Sequence, residues 1–371
     1  LCPIILCGCW NYREIDTLAI VAGMAIDKDP LSNNYILTTE IITTQSQGGT
    51  AIMGSEVYSS QGDTIFNAVR NLIEKTGLRL FWSDSKVVII SESLANEGII
   101  PAIDWTNRSN YVRPDIGLLI SKGNTAAEIL KNKINLNTIT SLHLDDTMNS
   151  WKVLSKFPDS MVWTFIDGLS SKGKSEAVAT VKNEHNNGRI SPLVEGSAIF
   201  KSDKLVGYLN GNETLYMLMI KNKIKQGLIT LSNVSGSNTN VTLEINDNTT
   251  KLTPLYNNGK VSMILDIYPV VSIHEVQGTK DFMKEENLKT LQSETEKKIE
   301  SQIQYLISKL QKNYNSDVLA FGEIFNEEKP KISENFKKSG KDIFTNMKTT
   351  INVHLQIKGS NKTIKPISID K

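Results

Sequence analysis

Residues 280–312 carry the longest helical periodicity in the chain, and they constrain the fold more than any other stretch. Phe282, Leu288, Leu291, Ile299, Ile303, Leu306 and Leu310 recur at short, helix-like intervals, which gathers them on one helical face. Asp281, Glu285 and Glu286 stand at the start and Lys309 and Lys312 at the end, the charge order that complements the helix dipole. At about 1.5 Å per residue such a helix spans about 45 Å. An apolar face of that length needs a partner surface, and the flanking sequence offers one. Stretches 241–246, 251–256 and 261–276 read as strands, and 350–358 alternates Ile351, Val353, Leu355 and Ile357 toward one side. Asn257-Asn258-Gly259 is a hairpin signal, because Asn and Gly take positive φ readily. The spacing along the helix mixes threes and fours, which suits one broad face on a sheet better than a coiled-coil seam with another chain.

The N-terminal half alternates strand-like and helix-like segments. Strands are expected at 19–26, 35–44, 86–91 and 116–121, and helices at 64–75, 93–97, 102–107 and 125–132. Gly77 stands where a helix stop is needed and Pro101 where a helix can start. This rhythm predicts helices packed on a mixed sheet. Residues 142–171 read as helical, broken at Phe157-Pro158, with Asp159 or Ser160 as the second cap. Strands follow at 176–181 and 193–201, a hairpin at 198–209, and a helix at 213–223 with Leu215, Leu218 and Met219 on one face. Two polar tracts, 183–189 and 232–240, are the candidate linkers. They divide the chain into 10–185, a small middle part at 186–236, and 237–371 with the long helix.

The first nine residues are an apolar run ending in Gly8-Cys9. A small residue before a Cys, just after an apolar core, is what a bacterial lipoprotein signal presents for acylation and cleavage. The charged start of such a signal is not in the sequence, so 1–9 is read as its remnant, with Cys9 as the lipidated first residue. The other reading is a buried first strand of a cytosolic domain. All three Cys lie at positions 2, 7 and 9, so a processed chain has no thiol left for a disulfide or a metal. The 41 basic and 40 acidic residues give a formal charge of +1, which provides no broad field for nucleic acid. No other stretch has the roughly 20 apolar residues a membrane-spanning helix requires.

Catalytic patterns are thin. Gly168-Leu-Ser-Ser-Lys-Gly173-Lys174-Ser175 fits a phosphate-binding loop, with Met263–Asp266 as a metal-binding strand, but such a loop must follow a strand and open a helix. The segments around it read in the opposite order. His143, His185, His274 and His354 are far apart, with no metal-binding spacing. Asp145-Asp146 is read as an acidic helix start.

The stretch Gly8-Cys9-Trp10-Asn11-Tyr12-Arg13-Glu14-Ile15-Asp16, then Leu18-Ala19-Ile20-Val21 and Gly23, resembles the start of the Ger(x)C family, the lipoprotein C subunits of spore germinant receptors. Residues 85–98 are similar to the family's strand and Leu-Ala helix. Glu195-Gly196-Ser197-Ala198-Ile199-Phe200-Lys201, with Lys204-Leu205-Val206-Gly207-Tyr208-Leu209, is similar to its middle signature. Gln311, Asp317, Phe321-Gly322 and Pro330 match its C-terminal one. Asn11 departs from a frequent Asp, and Ile332, Phe336 and Gly340 occupy a region often bearing Trp. The resemblance implies an α+β fold of three domains with mixed or antiparallel sheets. It implies a lipid anchor at Cys9 on the outer face of the spore inner (cytoplasmic) membrane. Two integral-membrane receptor subunits are the implied partners, with no catalytic residue, metal or cofactor. Structural or interface roles are implied for Trp10, Arg13, Glu14, Gly196, Gly207, Gln311, Asp317, Gly322 and Pro330. No motif marks a pocket for the germinant itself. The alternative is an extracytoplasmic solute-binding lipoprotein of a transporter, which needs two similar α/β lobes; a hydrolase or nucleotide enzyme stands third.

Overall fold

A computed structural model describes residues 18–47, 50–109, 111–132, 139–170, 175–186, 188–278, 280–282, 284–338 and 342–358. Two sheets organise the chain. The first has nine strands: β1 (Leu18–Lys28), β2 (Tyr35–Gln47), β3 (Thr50–Gly62), β4 (Arg79–Phe81), β5 (Val87–Ser91), β6 (Gly117–Ser121), β7 (Ala177–Asn186), β8 (Arg189–Lys201) and β9 (Lys204–Leu209). Their order is β3-β2-β1-β5-β6-β7-β8-β9, with β4 beside β1. The centre, β1-β5-β6-β7, is parallel and the flanking hairpins are antiparallel.

The central strands are apolar runs because both of their faces are covered. Met24, Ile26, Val88, Ile90, Leu118 and Ile120 point to one side. There they meet α1 (Ile65–Thr76), α2 (Glu92–Glu97), α3 (Ile100–Arg108) and, after the helices of the other face, α7 (Val162–Ser170). Ala25, Val87, Ile89 and Leu119 point to the other side, against α4 (Ala126–Lys131), α5 (Thr140–Asn149) and the Trp151 ring of α6 (Trp151–Leu154). Fully burying each such Val, Leu or Ile side chain contributes about 1.5–3 kcal/mol.

The local signals explain the helix ends. Thr64 Oγ1 accepts the Asn67 amide, and Gly77, at φ 68°, closes α1 through its amide on the Ile73 carbonyl. The expected cap of α7 is different. Ser160 Oγ accepts the Ala179 amide at 2.9 Å, tying the loop to β7, while Thr164 Oγ1 accepts the Met161 amide. Asp145-Asp146 lies inside α5 rather than at its start.

The second sheet has five strands: β10 (Gly227–Leu231), β11 (Asn240–Asn257), β12 (Lys260–Gln277), β13 (Lys348–Val353) and β14 (Gln356–Lys358). β11 and β12, of 18 residues each, form a long hairpin. Its two-residue loop is Asn258-Gly259, at φ 48° and 77°, the positive-φ pair that suits the strand twist. β13 and β14 both lie parallel to β12. The long helix, α9 (Glu285–Lys309), buries Leu291, Ile299, Ile303 and Leu306 in the same cluster as Leu243, Ile245, Leu265 and Ile267 of the sheet. Short helices α10 (Phe321–Glu328), α11 (Pro330–Lys338) and α12 (Ile343–Asn346) complete it.

The chain passes from one sheet to the other through α8 (Gly211–Ile220), buried along almost its whole length. The tract at 183–189 closes the β7–β8 hairpin, with Asn186 opposite Arg189, and the tract at 232–240 joins β10 to β11 through a short turn. Polar composition marks turns inside the sheets in both places.

Candidate functional site

Most of the motif positions that fall within the described residues converge where β8 and β9 meet the end of α9. Gly196 sits in β8 at φ 84°, and a Cβ there would lie 2.4 Å from the Leu209 carbonyl oxygen; only glycine accepts both constraints. Gly207 of β9 has the Tyr314 ring against it, with a Cβ falling 2.1 Å from Cε1. The Tyr314 hydroxyl donates to the Tyr208 carbonyl at 2.8 Å and accepts the Tyr208 amide at 3.2 Å. One phenol thus satisfies both backbone groups of a residue on an outer strand. Ser316 Oγ donates to the Phe200 carbonyl at 2.8 Å.

Tyr314 reaches this place because α9 ends in a π turn over Leu310–Tyr314, and Asn315 then takes φ 46°. The last turn of α9 is held at the same spot. Lys309 Nζ lies 2.9 Å from each Glu213 oxygen, and Glu213 Oε2 also accepts the Asn210 amide, completing the capping box of α8. Burial works against the Lys309 charge, but the Glu213 carboxylate and the Tyr314 hydroxyl together outweigh it and hold the ammonium above its ordinary range.

The C-terminal motif residues extend this junction. The Gln311 amide nitrogen donates to the Phe344 and Met347 carbonyls, both at 2.8 Å, fixing α12 to the end of α9. Asp317 accepts the Phe321 amide at 3.0 Å and the Gly322 amide at 2.6 Å, which caps α10. It is nearly buried, and burial pushes its carboxyl up to about 6. The two amides oppose the shift, Asp342 adds to it, and Lys221 lowers it. A Cβ on Gly322 would lie 3.0 Å from the Asp317 carboxylate. Pro330 opens α11, where a missing amide costs nothing. Cys9, Trp10, Arg13 and Glu14 lie outside the described residues.

Two further carboxylates, which sequence reasoning missed, hold the first sheet in the same manner. Glu40 of β2 is fully buried and accepts the Thr140 and Ser141 amides and the Ser141 and Ser55 hydroxyls. Asp27 of β1 accepts the Ala126 and Ala127 amides, and its burial raises the carboxyl above the usual range although those amides act against it. Each caps a helix about 100 residues later in the chain, so no local spacing could reveal it.

The remaining sequence candidates are dispersed. Gly168 is in α7 and Ser175 precedes β7, the reverse of the strand–loop–helix order of a phosphate site; Gly173 and Lys174 lie outside the described residues. Asp266 accepts the Asn352 side-chain amide at 2.8 Å. His274 pairs with Glu244 at 2.5 Å, and His354 stacks on Tyr268 with ring centres 4.9 Å apart. Among the described residues, no helix is long and apolar enough to cross a membrane. The chemistry of the junction is hydrogen bonding and close packing: it fixes the first sheet against the second.

Comparison with known proteins matches residues 11–182 to the spore germination protein N-terminal domain and residues 195–361 to the spore germination B3/GerAC-like C-terminal domain. Spore germination protein KC of Bacillus subtilis is 25% identical over 362 residues, covering 91% of this chain and 88% of that one. Spore germination protein B3 of the same organism is 25% identical over 347 residues, covering 92% and 90%. The crystal structure of the GerBC protein aligns with a TM-score of 0.57 at 21% identity, over 90% of this chain and 96% of that one, and so shares the α+β fold. With both parts of the chain matched in order, the protein belongs to the Ger(x)C family of spore germination proteins.

Proposed function

We propose that this chain is a non-catalytic subunit of a nutrient germinant receptor. Acylated Cys9 anchors it to the outer face of the spore inner membrane, and it assembles with two integral-membrane subunits. The observation that carries the reading is how the motif residues are used. Gly196, Gly207, Gln311, Asp317 and Gly322 are all engaged in internal contacts, so they build a scaffold rather than a reacting centre. A rigid two-sheet body on a lipid tether meets its partners in two dimensions, where a high effective concentration lets modest interfaces suffice. Two or three acyl chains make such a tether stable, whereas one gives only marginal binding.

Cys9→Ala is the test. The variant should leave the membrane fraction and weaken nutrient-triggered germination. Retention in that fraction with undiminished lipid labelling would rule the anchor out. Loss of the anchor with germination unchanged would rule out the receptor role.

A further inference from the structure

The end of the first sheet at which β1, β4 and β5 begin makes none of the junction contacts described above, which lie on the β7–β9 side of the sheet. Leu18 of β1 pairs with Arg79 of β4, and β5 and β6 start level with each other at Val87 and Gly117, beside Gly23. β2 runs the other way. Ile41 stands opposite Val21, so the Thr44–Met53 pair, farther along the β2–β3 hairpin, falls near the level of Leu18. The loop between α3 and β6 closes this end. The Arg79 guanidinium donates to the Tyr111 hydroxyl at 3.3 Å and lies 5.7 Å from that ring's centre. The Trp163 amide donates to the Pro114 carbonyl at 3.2 Å.

Three large side chains at this end stand in solvent: Leu78 at 39%, Tyr111 at 55% and Met53 at 58% exposure; Trp163 instead lines a groove shared with Met217, Leu218 and Leu319 of the second half. Single exposed apolar groups are ordinary, but a cluster rimmed by charge marks an interaction surface. Tyr, with an apolar body and a polar tip, favours a membrane–water interface. Arg79 has an apolar stem and a charged head, the build that reaches headgroups from such a surface. Of the other exposed charges near it, Arg113 is paired with Asp115, and Asp84 and Lys86 of the β4–β5 turn are of opposite sign.

Tether length selects the same end. Eight residues lie between Cys9 and Leu18, a reach of about 30 Å over the nine Cα–Cα steps when fully extended. β1 then runs a further ~33 Å from Leu18 to Lys28, to the turn that carries Leu31. Seating the Leu31 turn on the bilayer would put Leu18 beyond that reach. We infer that the strand-start end of the first sheet faces the bilayer and rests on a phospholipid surface. Tyr111, Leu78 and Met53 enter the headgroup layer, and Arg79 meets phosphate oxygens. This rests on the acylation of Cys9 proposed above.

The test uses the full acylated chain carrying Leu78→Cys, Tyr111→Cys or Leu31→Cys, each labelled with a small fluorophore. The chains are reconstituted on phosphatidylcholine–phosphatidylglycerol vesicles whose acyl chains carry bromine as quencher. Quenching should be several-fold stronger at positions 78 and 111 than at 31. Equal quenching, or the strongest at 31, on protein whose intact mass includes the acyl chains, overturns the orientation and leaves the anchor standing. An intact mass without acyl chains overturns the anchor, and the orientation falls with it. If positions 78 and 111 escape lipid quenching and become shielded only when integral-membrane subunits are added, the surface belongs to a protein and the lipid assignment is wrong.

Discussion

Asp317 caps α10 from three residues before the usual capping position, because Ala320, which occupies that position, has φ 60° and no side-chain oxygen. The arrangement works at the cost of burying a carboxyl, and its pH consequence has a definite sign. The folded chain holds the Asp317 proton more tightly than the unfolded chain, since burial raises the carboxyl from 3.8 to about 6. The associated stability is therefore complete below pH 3.8 and lost as pH rises through about 6. Two pH units correspond to about 3 kcal/mol. Asp317→Asn, which cannot ionise, should lose less stability than wild type between pH 4 and pH 7, by an amount of that order. Urea unfolding of both proteins at the two pH values measures it, and a constant gap between them would contradict the account. A second residue-scale prediction concerns the Gly207–Tyr314 contact. Gly207→Ala and Tyr314→Ala should each destabilise by about 1–3 kcal/mol, and the double variant by clearly less than their sum, because the three atoms nearest the added Cβ all belong to the ring. Additive losses would mean that the two residues act separately.

At the scale of elements, the clearest sequence signals were those of strong period or strong turn chemistry. The face of α1, the apolar runs of β1, β5 and β6, and the Asn258-Gly259 loop stand where the sequence implies, as does the face of α9 from Leu288 on; the helix starts at Glu285 rather than at Lys280, so Phe282 is buried from the segment before it and Asp281 is not in its first turn. Elements whose polar residues are spent on distant partners were illegible. β11 reads as two strands because 247–250 is Asp-Asn-Thr-Thr. In the fold it is continuous, with Asn248 Nδ2 and Thr250 Oγ1 both donating to the Met219 carbonyl at the end of α8. The closing strand reads as one, yet it divides at His354-Leu355, where the His354 amide donates to the Ile267 carbonyl and the Leu355 amide to Glu296 of α9. β3 gave no signal, since its 13 residues include three Ser, two Gly and a Gln; it is held as a strand by full pairing with β2. The motif glycines were legible as positions, but their reasons lie in neighbours across the fold. For α9 the packing yields a direct comparison. Ile303→Ala, on the buried face, should cost about 2–5 kcal/mol. Ser301→Ala, two residues away and exposed, should change stability by no more than about 0.5 kcal/mol. Similar denaturation midpoints for the two variants would show that α9 is not seated on the sheet as described.

Over the whole molecule, α8, Tyr314, Ser316 and the Lys309–Glu213 pair join two sheets that each have their own apolar cluster. Every Trp, at positions 10, 82, 105, 151 and 163, precedes the second sheet. Trp fluorescence therefore follows the first sheet, while far-ultraviolet circular dichroism follows both. The two transitions should coincide in the wild type, as for one cooperative unit, and separate in the Tyr314→Ala, Lys309→Ala double variant; a wild type with separated transitions would show that the junction does not couple the sheets. The parallel ladder of β12 with β13 has a further consequence, for synthesis. Ser262 pairs with Lys348, so this ladder forms only after the intervening chain, α9 included, has been made. Distant pairings of this kind close slowly. A nascent chain that has passed β12 but not β13 bears a long, unpaired apolar margin, the type of exposed strand that seeds aggregation. A nonsense codon shortly before Lys348 would thus be expected to yield insoluble or rapidly degraded product, while the nine-stranded half, translated far earlier, could already be folded.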